Sequence, residues 1–201
     1  MKQFRMVLTG GPGGGKSVAL QALQQDLTKE GLRVIAIPEA ATEIILAGLS
    51  PRGILDNKDF QALQLDLQLQ REDLYAKATQ KLKEDVVVLL CDRGALDGKG
   101  FIEEDAFDQI LQKRGLREDE LLARYDAIFH MTSAAKKDTA LYSLNNNLAR
   151  KETPSEAAAE DDRLIKIWSL HPYQVLIPPC ETIEEKIQLL KQAVLHFLDD
   201  H

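Results

Sequence analysis

MVLTGGPGGGKSVAL, residues 6–20, is the stretch on which the fold turns. An apolar run, Phe4 to Leu8, leads into it, and a helical pattern, Val18, Leu20, Leu23 and Leu27, leads out. Between them Gly10, four further residues and Gly15-Lys16-Ser17 fit the spacing of a phosphate-binding loop, in which each residue type has a physical task. Gly11, Gly13 and Gly14 are expected to turn with positive φ and to bring backbone N–H groups against phosphate oxygens, where a Cβ would intrude. Lys16 would reach the β- and γ-phosphates. Ser17 would open the next helix with its hydroxyl on Mg²⁺, and the positive end of that helix would face the anion. The nucleotide-binding set is therefore Gly10, Gly11, Pro12, Gly13, Gly14, Gly15, Lys16, Ser17 and Val18. A strand before and a helix after separate this loop from a glycine-rich turn that merely turns.

The chain has 201 residues and a formal charge of -7. That length supports one sizeable core, so a single domain over 1–201 is expected. An acidic balance argues against a nucleic-acid partner, which asks for a basic face. No apolar run approaches the roughly 18 residues of a membrane span, and no secretory-type segment opens the chain, so a cytoplasmic protein is expected. Cys91 and Cys180 fit no metal spacing and read as free buried thiols.

Strand-length apolar runs alternate with amphipathic segments, the pattern of a parallel sheet covered on both faces. Strands are expected at about 3–9, 33–38, 85–91, 126–132 and 173–178, with boundaries loose by roughly 2–4 residues. The longest helix, about 59–83, is read with Phe60, Leu63, Leu67 and Leu74 on one stripe and Gln64, Gln68, Arg71 and Glu72 on or near neighbouring faces, walling the site. From Thr132 to Pro154 periodicity stops; a polar stretch that long inside a domain reads as a lid or as disorder. Ser155 is taken to cap the next helix, and Thr182 with Glu185 to form a capping box for the last.

Asp92-Arg93 follows the buried third strand and should sit at the carboxyl edge, where ligands bind in open α/β sheets. Asp92 there could hold Mg²⁺ or its waters beside Ser17. Arg93 stands where a motor-type ATPase would carry a water-activating glutamate, and could steady a phosphoryl group or an acceptor. Glu39 ends the second strand and begins a helix, so two readings stand: a base that takes a proton from an attacking hydroxyl, or a carboxylate favoured by the helix dipole. Arg150, with Lys151 and Arg163 nearby, could close over the phosphates. His130 reads as a core or edge residue, His171-Pro172-Tyr173 as a helix terminator and Trp168 as core. Lys136-Lys137-Asp138 has alanine in place of the asparagine of a guanine-reading motif and assigns no base.

TGGPGGGKS, PEAATEII after the second strand and CDRGALD after the third together resemble the P-loop group of small AAA-type ATPase domains. That group is related to the NadR ribosylnicotinamide kinase domain and, more distantly, to thymidylate and deoxynucleoside kinases. YDAIFHMTSAA, the region from Arg150 to Glu152 and IWSLHPY are further similar to the N-terminal nucleotide-binding domain of the TRPL translocation-defect protein. The resemblance implies a P-loop NTPase of three α/β/α layers with a five-stranded parallel sheet in the kinase-like order 2-3-1-4-5. It also implies a lid around Arg150 and a loop, Pro178 to Thr182, near the nucleotide base. Its kinase branch implies Glu39 as base, Asp92 near the metal and Arg93 on the acceptor or phosphoryl group. The translocation-defect relatives imply GTP binding and phospholipid contact instead, although a separate lipid-binding domain is not expected in a sequence that ends at His201.

Two functions follow as expectations. One is a Mg²⁺-dependent phosphotransferase that uses ATP or GTP and a small hydroxyl-bearing acceptor; the other is a nucleotide-gated binding module with slow hydrolysis. Both require the loop. Lys16→Ala should therefore abolish tight triphosphate binding in calorimetric titration while the fold persists, and unchanged affinity in a folded variant would remove the loop from either account.

Overall fold

The computed structural model describes residues 2–51, 53–137 and 153–201. Five parallel strands, β1 (Lys2–Thr9), β2 (Arg33–Ile37), β3 (Val86–Asp92), β4 (Ala127–Met131) and β5 (Gln174–Ile177), form one sheet in the order β2-β3-β1-β4-β5. This is the expected order. The helices are α1 (Lys16–Lys29), α2 (Ala40–Leu46), α3 (Asn57–Thr79), α4 (Glu104–Arg114), α5 (Glu118–Leu122), α6 (Pro154–Trp168) and α7 (Ile183–Asp200). Short 3₁₀ turns occupy Asp97–Phe101 and Ala134–Lys136.

The period of two along the strands divides the core into two layers. Met6 and Leu8 of β1 with Val88 and Leu90 of β3 pack beneath Leu23 and Leu27 of α1 and Leu190, Val194 and Phe197 of α7. Val7, Val87, Leu89 and Cys91 point to the opposite face, against Leu65 of α3, Phe107 and Ile110 of α4 and Trp168 of α6. Covered on both sides, β3 is an uninterrupted apolar run, as central parallel strands are.

Three local expectations are corrected. Thr153, not Ser155, caps α6: its hydroxyl accepts from the Glu156 N–H, Glu156 answers on the Thr153 N–H, and Pro154 fills the first helical position. The Thr182 hydroxyl does cap α7, but the Glu185 carboxylate accepts from the N–H of Glu181 rather than closing the box. Cys91 is buried while Cys180 is only half-buried.

The larger correction concerns α3. Its buried face reads Phe60, Gln61, Gln64, Leu65, Gln68 and Glu72, and Leu74 from the expected apolar stripe is 59% exposed. Glu72 turns the stripe. Its fully buried carboxylate accepts from Arg5 Nη1 at 3.2 Å, Arg124 Nη2 at 3.2 Å, Gln68 Nε2 at 2.8 Å and the Tyr125 hydroxyl at 2.8 Å. A buried carboxylate so fully paired fixes the rotation of the helix about its axis, because any other rotation would strand the charge. Glu72→Ala should then cost about 3 kcal/mol, the low end for breaking a buried pair since both arginines keep some water. That corresponds to a fall in melting temperature of roughly 6–12 °C by calorimetry. A shift within about 2 °C would show that packing, not charge, sets the helix.

Candidate functional site

β1 ends at Thr9 and α1 begins at Lys16, so residues 10–15 form the loop at the carboxyl edge of the central strand. Positive φ falls on Gly10 (136°), Gly13 (76°) and Gly15 (85°). Gly11 and Gly14 were expected to share it and are glycines for another reason, close approach from behind. A Cβ on Gly11 would lie 2.8 Å from Asp161 Cβ, and one on Gly14 would lie 2.5 Å from the Met131 carbonyl oxygen. Gly15 precedes α1 with no side chain capping its first turn, which leaves the helix N–H groups for an anion. Lys16 Nζ donates to the carbonyls of Gly10 at 2.6 Å and Gly11 at 3.0 Å, arching over the loop. Ser17 is exposed at the mouth, and Val18, read as part of the helix pattern, is exposed beside it.

Next to this loop the strand ends assemble a cluster of charge. Asp92 closes β3, one strand from β1 and in register with Leu8. Arg93 follows in a left-handed conformation (φ 70°), alone among the described non-glycine residues, and its N–H donates to the Leu8 carbonyl at 3.1 Å. Such backbone strain persists where the surroundings over-determine it. Here they do so through the guanidinium. Nε donates to Glu39 Oε1 at 2.6 Å, Nη1 donates to Asp97 Oδ2 at 3.2 Å, and Cζ lies 5.3 Å from the centre of the Phe101 ring. Glu39, between β2 and α2, also accepts from the Thr42 hydroxyl at 2.8 Å. It makes no side-chain cap of its helix.

Electrostatics tie these groups together. Burial lowers the Lys16 ammonium to about 8, aided by the Arg93 charge and resisted by Asp92, Asp97 and Glu39. Burial raises Asp92 to about 6, with Glu39 adding to it and Lys16 and Arg93 opposing. Burial would also raise Glu39, but the Arg93 charge and the bonds from Thr42 and Arg93 hold it below the usual carboxylate range. For Arg93 the cost of burial is outweighed by Asp97 and Glu39, so it stays charged. Four residues singled out from sequence, Lys16, Glu39, Asp92 and Arg93, thus meet in one cluster. Arg150 lies outside the described residues. Arg163 does not face the loop; its Nε donates to the Gly100 carbonyl at 3.2 Å.

Several polar residues at the site were given no role from sequence. Asp97 is fully buried and takes bonds from Thr9, Arg93 and Trp168. Asp161 of α6, also buried, accepts from the Gly11 N–H at 2.8 Å and the Ser133 N–H at 3.1 Å, and its Oδ1 lies 2.9 Å from His130 Nε2. Burial would raise its carboxyl, yet His130, Lys136 and the Gly11 N–H hold it far below the usual range. Lys186 of α7 donates to Gly14 at 2.8 Å and Thr132 at 2.5 Å, and burial lowers it to about 8. The signal that could have found the aspartates is their place: Asp97 ends CDRGALD, and Asp161 lies on the face of α6 that also buries Ala157, Leu164 and Trp168.

A cavity of about 620 Å³ opens over Glu39 and Arg93, walled by Phe60, Gln61, Gln64 and Phe101. Gln61 is buried, and its Oε1 has no hydrogen-bond partner among the described residues. An orphaned buried acceptor costs about 1–3 kcal/mol unless a ligand or water satisfies it. A second cavity of about 560 Å³ lies beyond Phe101, against Arg163 and Lys166.

The residues suit Mg²⁺ with a nucleotide. Among the described residues no three His, Cys, Asp or Glu side chains gather as a metal cage, and Mg²⁺ on phosphates does not need one, since one or two protein oxygens and the phosphates suffice. Asp92, desolvated and reluctant to ionise alone, fits that role with Ser17 across the loop mouth. No helix is long and apolar enough to cross a membrane among the described residues.

A family model described as an AAA domain matches residues 5–186, from the first strand to the start of the last helix. No curated protein matches the chain.

A Lys16 ammonium of about 8 has a measurable consequence. In the free protein it is partly neutral at pH 8.5, and a bound triphosphate raises it again, so binding there should draw a proton from solution. Titrations in buffers of different ionisation enthalpy should show net proton uptake near pH 8.5, absent at pH 6.5. Uptake that vanishes in Lys186→Met, with Lys16 still in place, would assign the proton to Lys186 instead.

Proposed function

The chain belongs to the AAA domain family, whose P-loop domains generally bind a nucleotide with Mg²⁺, and from that premise we propose a Mg²⁺-dependent phosphotransferase acting on a small hydroxyl-bearing acceptor. The observation that carries the proposal is the cavity of about 620 Å³ over Glu39 and Arg93, beside the phosphate loop. A nucleotide timer has no need of a second polar pocket at the strand edge. An enzyme that brings an acceptor to a triphosphate does.

In this reading the loop amides, the start of α1 and Lys16 hold an ATP or GTP triphosphate, and Ser17 and Asp92 hold Mg²⁺, which supplies neutralisation of the phosphate charge. The acceptor sits in the cavity, between Gln64 and Phe101, with its hydroxyl toward Glu39. The hydroxyl oxygen bonds to the γ-phosphorus as the bond to the bridging oxygen breaks, the nucleoside diphosphate leaves, and the hydroxyl proton passes to Glu39. Arg93 keeps Glu39 ionised and presents positive charge where the phosphoryl group crosses. The whole chain acts as one nucleotide-binding unit with kinship to the kinase branch of its relatives.

One observation favours the alternative of a nucleotide-gated binding module. Ile45, Leu46 and Ile54 are exposed on and after α2, the helix that begins at Glu39, and exposed apolar residues grouped this way suit a partner surface.

Glu39→Gln separates the two. The shape survives and the proton acceptor is lost, so triphosphate affinity should hold while transfer to the best acceptor falls by roughly 10² to 10⁴-fold. Full turnover in this variant would remove the base and leave the binding module as the better account.

A further inference from the structure

Arg93 is useful in the proposed reaction only if its guanidinium is aimed, and Glu39 alone does not aim it. Glu39 is a half-exposed helix-start residue, and one bond from Nε leaves the guanidinium free to swing about that contact. The second anchor is different in kind. Asp97 has no exposed surface, and both of its oxygens are committed. The Trp168 indole N–H donates to Oδ1 at 2.6 Å, and the Thr9 hydroxyl lies 3.0 Å from Oδ1 and 2.9 Å from Oδ2. Only then does Oδ2 receive Arg93 Nη1, at 3.2 Å. Thr9 ends β1 at the loop, Trp168 ends α6, and the 3₁₀ turn Asp97–Phe101 carries both the carboxylate and the ring over which Arg93 lies.

We infer that Asp97 is a positioning residue, which acts through Arg93 by fixing its guanidinium between Glu39 and the Phe101 ring. This rests on the phosphotransferase reading for its effect on rate, but its geometric content does not. Two neutral donors, Thr9 and Trp168, fix the Asp97 carboxylate in place, so its ion pair with Arg93 is made at a set point. The third partner is the one residue of the charge cluster with a strained backbone, and a rigid second anchor is what lets the strain persist. Asp97 also supplies the second negative charge that offsets the burial of Arg93, so Glu39 is not required to neutralise it alone.

The test is a cycle of Asp97→Asn and Arg93→Ala, read by transfer rate and by Arg93 side-chain NMR. Asparagine keeps the shape but turns either a neutral oxygen or an N–H toward Nη1. Transfer should fall by roughly 10-fold or more at unchanged triphosphate affinity, and adding Asp97→Asn to Arg93→Ala should change the rate less than about 2-fold, because the partner is already gone. Equal losses in both backgrounds would mean a merely structural role and overturn the inference. In the wild type, separately resolved Arg93 Nη signals are expected from a guanidinium that cannot rotate, collapsing to one in Asp97→Asn. Signals that stay resolved in the variant would also overturn it. This NMR arm stands even if no acceptor is ever turned over, in which case the phosphotransferase reading fails and the positioning of Arg93 is still decided. Should Asp97→Asn not fold, Trp168→Phe removes a donor from Asp97 while sparing Arg93. Broadened Nη signals are expected there, and unchanged ones would count against the anchor.

Discussion

Two cations, Lys16 and Arg93, are held within the field of Glu39, Asp92 and Asp97 at the carboxyl edge of the sheet, and the site depends on how little water reaches them. In water such an assembly would be worth little, because exposed charges are screened. Burial raises the stakes for each partner. It pulls Lys16 down and pushes Asp92 up, so both sit closer to neutrality than free side chains and both gain when a polyanion and its cation arrive together. The cluster is poised for a charged ligand and does not neutralise itself fully.

Helix α6 connects the parts of this edge. Near its middle Asp161 receives the Gly11 N–H, and at its end Trp168 donates to Asp97. One rigid element thus touches the phosphate loop and the anchor of Arg93. Lys186 braces the loop from the other side by joining Gly14 to the end of β4. The glycines at 11 and 14 permit this. With any side chain there, Asp161 and the Met131 carbonyl could not approach, and the loop would have to move outward from its supports.

The sheet was legible because apolar runs, glycine spacing and strand length all pointed the same way, and agreement between levels is what specifies a fold. The loop, Asp92-Arg93 and Glu39 were legible because strand ends are where such sheets bind ligands. Asp97 and Asp161 were not. Their burial follows from tertiary partners, the Trp168 indole for one and the Gly11 N–H for the other, which lie 71 and 150 residues away along the chain. Their place in the sequence hints at burial, but no local pattern names the partners that hold them. The positive φ of Arg93 was equally hidden, since nothing in its neighbours demands it short of the two carboxylates that meet its guanidinium.

The misreading of α3 has the same origin and says something about the site. A helix with leucines at 63, 67 and 74 looks as if it should bury them, and burying Gln61, Gln64, Gln68 and Glu72 instead forgoes apolar contact. The lower half of that stripe is compensated: Gln68 bonds Glu72, and Glu72 gathers two arginines and a tyrosine. The upper half is not: Gln61 Oε1 has no partner among the described residues, and both Gln61 and Gln64 line the cavity over Glu39. The paired end of the helix therefore fixes a rotation that puts glutamines, not leucines, in the wall of the cavity, a cost in apolar burial that makes physical sense where a polar ligand is to be received.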